Sequence, residues 1–224
     1  MENSTYIHLL SEIFEQHANP LIAAGQKAYL KDHFEFFGIK SPDRRNIQVN
    51  FLRKPLLPSW SKSRELLLEL WVKDEREFQH FGLDLMRKHL KNVEESDIDF
   101  IRYLISNKSW WDTVDAIAVH LLGAYFQKYP HKRNTVCQEW IESGNLWLKR
   151  SCLLFQLNYR QKTDTAFLTN CIGKLTPSKE FFINKAVGWA LRQYSKTNQE
   201  WVKTYVLQNP QLHSLSKKEA LRLI

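Results

Sequence analysis

The chain has 224 residues, 43% of them apolar and 25% charged, with 7 Gly and 7 Pro, so it can bury a sizeable core without a disulfide or metal staple. Lys and Arg number 32 against 24 acidic residues, a formal charge of +8, and residues 149–203 hold ten basic side chains against three acidic ones, which makes a polyanion the first partner to weigh. The opening Met-Glu-Asn-Ser-Thr is no secretory signal and no stretch has the apolar length of a membrane span; Gly-rich nucleotide loops, HExxH and GxSxG are missing, so the expectation is a soluble cytoplasmic protein with no metal and no cofactor.

Along the chain, apolar residues recur at three- and four-residue spacing and few runs alternate, which predicts an all-α protein. Breaks fall at Asn19-Pro20, Ser41-Pro42, Lys54-Pro55 to Pro58, Tyr129-Pro130, Ser143-Gly144-Asn145, Thr176-Pro177 and Asn209-Pro210. Ser41 before Pro42 and Thr176 before Pro177 suit a helix cap followed by a first helical residue. Cys137, Cys152 and Cys171 have neither CxxC nor zinc-set spacing and read as small buried hydrophobes. Apolar segments opening at Phe78, Trp111, Leu148 and Ile183 repeat at steps of 33, 37 and 35 residues, a two-helix period. Such units bury their apolar faces only by stacking, which predicts a single domain over 1–224, a curved α-solenoid with one concave face.

The helix from Trp110 carries a core stripe at Trp110, Val114, Ile117, Leu121 and Tyr125. Trp111 and Asp115, four residues apart, share the face beside it. Next, Trp147 is followed by Lys149 and Arg150. The last such helix has a core stripe at Ile183, Val187, Ala190 and Tyr194, and a second stripe at Lys185, Trp189, Arg192 and Lys196. Two readings of these faces stand. In one, Trp111 packs on the adjoining repeat, Asp115 pairs with a lysine, and the basic stripe is solvated. In the other, cations meet phosphates and the rings meet sugar or base. If the repeats stack in register, Arg150 falls between the Trp111/Asp115 pair and the Lys185/Trp189 pair. A carboxylate facing a polyanion is costly, so its presence there suggests that a positive charge must be stabilised.

The segments Tyr29 to Arg45 (YLKDHFEFFGIKSPDRR), Ser109 to Asp115 (SWWDTVD), Trp147 to Arg150 (WLKR) with LLFQLNY after it, and Ser178 to Arg192 (SKEFFINKAVGWALR) resemble the AlkD-type DNA alkylation-repair glycosylases, in order and over essentially the whole chain. The resemblance implies a solenoid of HEAT-like repeats with a concave basic DNA-binding face. It also implies a monomer that hydrolyses the N-glycosidic bond of cationic N3- or N7-alkylated purines in double-stranded DNA, without turning the base into a pocket. By the same resemblance Asp115, Trp111 and Trp189 are catalytic, and Arg150 and Tyr29 contact DNA; in the second reading of the helix faces Arg150, Lys185 and Arg192 hold the flanking phosphates. The alternative is a non-catalytic protein of the same fold that binds damaged or branched DNA.

Overall fold

A computed structural model describes residues 2–224, and among them the regular structure is helical, with one isolated bridge between Glu35 and Glu75 and no strand. The all-α expectation holds. The chain forms two compact units, one ending at Val93 and one running from Glu94 to Ile224. No described helix is long and apolar enough to cross a membrane.

The first unit holds α1 (Asn3–Gln16), α2 (Pro20–Tyr29), α3 (Ser41–Ile47), α4 (Trp60–Trp71) and α5 (Arg76–Lys88). Asn19 caps α2 by accepting from the backbone N–H groups of Leu21 and Ile22, with Pro20 as the first helical residue, a position where its missing N–H costs nothing. Leu10, Phe14, Leu66, Leu67, Leu70, Trp71, Phe81 and Leu85 make its core. Arg76 and Glu77 are buried with them. Arg76 lies 3.7 Å from the Phe34 ring centroid, and Glu77 accepts the backbone N–H groups of Phe37, Gly38 and Ile39, so the YLKDHFEFFGIK segment is fixed by an acid that compensates three otherwise unpaired donors.

The second unit holds α6 (Ile98–Ser106), α7 (Trp111–Ala116), α8 (Gly123–Lys128), α9 (Arg133–Glu142), α10 (Leu146–Leu154), α11 (Thr165–Leu175), α12 (Phe181–Ser195), α13 (Gln199–Gln208) and α14 (Ser214–Ala220). Between α7 and α8 the backbone widens to one π-helical stretch, Ile117–Leu122. Of the expected stripe, Val114, Ile117, Leu121 and Tyr125 are fully buried, whereas Trp110 stands before the helix in extended backbone and is half-buried; Ala118 and Leu122 join the same core. Such widenings gather at functional sites, and this one begins two residues after Asp115.

The period is sharper in the structure than in the apolar pattern: α5, α7, α10 and α12 begin at Arg76, Trp111, Leu146 and Phe181, a constant step of 35 residues. Asn145 starts α10 by accepting from the N–H groups of Trp147 and Leu148, and Gly144 supplies the positive φ of the turn before it. Two expected caps differ. Ser41 is itself the first residue of α3, after Lys40, and Thr176 closes α11 where it was expected to open α12. A residue before proline is pushed to extended backbone, and Thr176 has φ −121° and ψ 135°; α12 starts only at Phe181. All three cysteines are free and buried, as expected.

Candidate active site

The site is built from one slot repeated. Asp115, Arg150 and Lys185 are each the fifth residue of α7, α10 and α12, which begin 35 residues apart. α10 touches both α7 and α12, and the first two copies of the slot meet as the Asp115–Arg150 pair. Arg150 grips Asp115 by two parallel hydrogen bonds, Nε to Oδ1 at 2.7 Å and Nη2 to Oδ2 at 2.8 Å. Its Nη1 donates to the Phe182 carbonyl.

This fork-to-carboxylate geometry sets both charge and direction. The Arg150 side chain is 4% exposed and that of Asp115 13%, so the acid lies nearer solvent and the guanidinium behind it. Burial pushes the Asp115 carboxyl above its ordinary range; Arg150 opposes the rise by hydrogen bonding and charge, and the nearby Asp112 adds to it. Three donors of Arg150 are spent inside the protein. It acts on Asp115 here, and its burial leaves little to offer a phosphate, the role that the sequence suggested.

Asp115, Arg150, Trp111, Trp189, Lys185 and Arg192 all border one open cavity of about 440 Å³, and Asp112, Phe181 and Phe182 complete its wall. Trp111 and Trp189 are half-buried, and both line the cavity. Phe182, on the cavity wall, packs with Trp110 and Trp147 as a three-ring floor, with centroids 5.5 Å (Trp110 to Trp147), 5.3 Å (Trp110 to Phe182) and 5.0 Å (Trp147 to Phe182) apart. Edge and tilted contacts of this kind stabilise beyond the area they bury, and they make the floor rigid. A larger cleft of about 660 Å³ lies around Arg133, Asp164 and Lys174, but there Asp164 caps α11 and pairs with Arg133, a structural use of both charges.

Tyr29, in the first unit, ends α2 with 69% exposure. The basic stripe of α12 is partly neutralised. Lys185 reaches Glu219 at 2.5 Å and Arg192 pairs with the other oxygen of the same carboxylate. Glu219 comes from α14, which seats against α12 at Gly188, where an added Cβ would stand 2.5 Å from the Glu219 Cβ and 2.8 Å from the Ser216 carbonyl oxygen. Lys196 is exposed and hydrogen-bonds Gln193.

Glu219, Asp112 and the Phe182 carbonyl escaped the sequence reading. Only Asp112 had a local signal, one turn before Asp115. Glu219 stands 27 and 34 residues from its partners, with nothing in KKEALRLI to mark it.

The family model described as DNA alkylation repair enzyme matches residues 10–224. Among solved structures, the chain is similar to one described as a predicted DNA alkylation repair enzyme from Enterococcus faecalis. The two are 31% identical over 92% of this chain and 96% of that one, with a TM-score of 0.83. The search of curated proteins returns no match.

Proposed function

Because the chain belongs to the DNA alkylation repair enzyme family, we propose that the Asp115 cavity is the active site of a DNA glycosylase that removes cationic N3- or N7-alkylated purines from duplex DNA. The observation that carries this reading is a largely buried carboxylate, held on both oxygens by Arg150 and bordering one cavity with two half-buried tryptophans.

Alkylation at N3 or N7 leaves a formal positive charge on the purine, so the base departs as a neutral leaving group and needs no general acid. The C1′–N bond breaks with its electron pair going to the base, and positive charge grows on the deoxyribose as in glycoside hydrolysis. Water then adds its oxygen to C1′ and gives up a proton through its hydrogen bond to Asp115, from which the proton passes to solvent. Asp115 faces the growing charge. A carboxylate about 4 Å away contributes roughly 4 kcal/mol of gross attraction at an effective dielectric of about 20, of which the Arg150 charge behind it offsets a part. Each Asp115 oxygen keeps a lone pair beyond the one given to Arg150, and with it accepts a hydrogen bond from the attacking water. Trp111 and Trp189 offer π-faces to the sugar cation, about 1–2 kcal/mol each when desolvated. On this reading, and as the sequence resemblance implies, the base stays in the duplex and the cavity receives the sugar and its phosphates.

D115N tests the assignment. Asn keeps the shape and removes the charge, so release of 7-methylguanine from methylated duplex DNA should slow by about a thousandfold, while affinity for the duplex stays equal or rises. Undiminished release by D115N sinks the assignment of Asp115. Wild-type protein that binds the duplex and releases no base sinks the glycosylase and leaves a DNA-binding protein.

A further inference from the structure

The site cavity borrows two cations that the protein has already engaged. Lys185, Trp189 and Arg192 line one face of α12, where spacings of four, three and seven residues bring side chains together. Lys185 and Arg192 both end on the Glu219 carboxylate. The exposures are graded: the Glu219 side chain is 9% exposed, Arg192 21% and Lys185 37%. The acid is therefore behind and the cations in front.

An ammonium has three donors and a guanidinium five, and each bond to Glu219 uses one of them. The remaining donors are free to take a phosphate oxygen. Two long side chains that would otherwise sample many rotamers are held in place before any ligand arrives, which moves their ordering cost from binding to folding. Glu219 is itself fixed by backbone. Gly188 lets α14 approach α12 to within contact of the Glu219 Cβ, and the Ser216 hydroxyl donates to the Asn184 carbonyl at 2.8 Å. Lys185 foremost, then the Arg192 and Arg222 charges, hold the Glu219 carboxyl below its ordinary range, so it is a stable counter-charge at neutral pH.

We propose that Glu219 is a positioning residue of this site: it presents Lys185 and Arg192 as a preformed clamp for a backbone phosphate beside Trp189. The inference rests on reading the cavity as a DNA site. A carboxylate that served only to lower the local charge would instead weaken phosphate binding by its own repulsion, and the two roles predict opposite signs.

The experiment compares duplex DNA affinity, by fluorescence anisotropy at fixed salt, for wild type, E219Q and E219D, with thermal unfolding recorded for each. As a clamp-holder, Glu219 replaced by Gln loses about fivefold in affinity through disordered cations. E219D keeps the charge but is one methylene shorter, no longer spans both partners, and also loses affinity. In a chain already carrying K185Q and R192Q, E219Q should change affinity less than twofold. Affinity for E219Q equal to or tighter than wild type, E219D indistinguishable from wild type, or an undiminished E219Q effect in the K185Q/R192Q background would each overturn the proposal, the last by showing that Glu219 acts through folding alone. Wild-type protein that neither binds nor processes alkylated duplex overturns the DNA reading itself. Wild type that does both, with an indifferent E219Q, overturns only the role of Glu219.

Discussion

At the residue scale the governing fact is that two carboxylates of one unit are pushed in opposite directions. Burial raises Asp115 and salt bridging lowers Glu219. In the proposed mechanism Asp115 acts as its anion, so the acid limb of the excision rate should lie above the pH at which an ordinary aspartate protonates; a single-turnover pH profile reads this directly. The sign for stability is the reverse of the usual acidic case. A raised carboxyl contributes stability that is fully present below its unfolded value and is lost as pH rises through the folded one, so ionised Asp115 is a cost carried at neutral pH. Glu219 contributes above its unfolded value and loses that contribution as pH falls through its lower folded value. R150K should be severe, because an ammonium cannot replace a two-bond fork; leaving a buried acid poorly compensated costs about 3–5 kcal/mol. Its acid limb should move further up in pH, which a loss of packing alone would not produce. W111A and W189A should each slow excision about 5- to 30-fold through lost cation–π stabilisation, and chemical quench of a single turnover measures it.

At the scale of elements, the contact between α12 and α14 turns on one missing atom. G188A places a methyl against the Ser216 backbone, which cannot move as a side chain end can, so it should destabilise by roughly 1–3 kcal/mol even though Ala is the better helix former. Gly173 is the control: it lies within α11 with nothing inside 4 Å of an added Cβ, and G173A should stabilise by about 0.4–1 kcal/mol. Thermal unfolding of the two variants should move in opposite directions. The same elements show what the sequence made legible. The stripes of α7 and α12 announced their buried faces because apolar spacing is set by the helix itself, and the expected meeting of Arg150 with the Trp111/Asp115 face followed from register. The π-helical stretch Ile117–Leu122 left no mark, since widening one turn changes hydrogen bonding and not composition. The Glu219 clamp was invisible because it depends on a close approach of two helices, and the Phe182 carbonyl is backbone, common to every residue.

At the scale of the whole molecule, the charge of +8 overstates what a duplex meets. Arg150 is matched by Asp115, and Lys185 with Arg192 share Glu219, both acids lying outside the basic stretch 149–203. If each of its ten cations neutralised a phosphate, affinity would fall with salt at a slope of about −9. The observed slope should be distinctly shallower, and R192Q should reduce it by about 1, as a salt titration of duplex binding will show. The constant step of 35 residues has a consequence for symmetry as well. The fifth residue of α10 touches the fifth residue of α7, so helices of identical sequence at this step would set like charge against like at hydrogen-bonding distance. The repeat supplies the scaffold, and the Asp115–Arg150 pair depends on the one position at which neighbouring copies must differ.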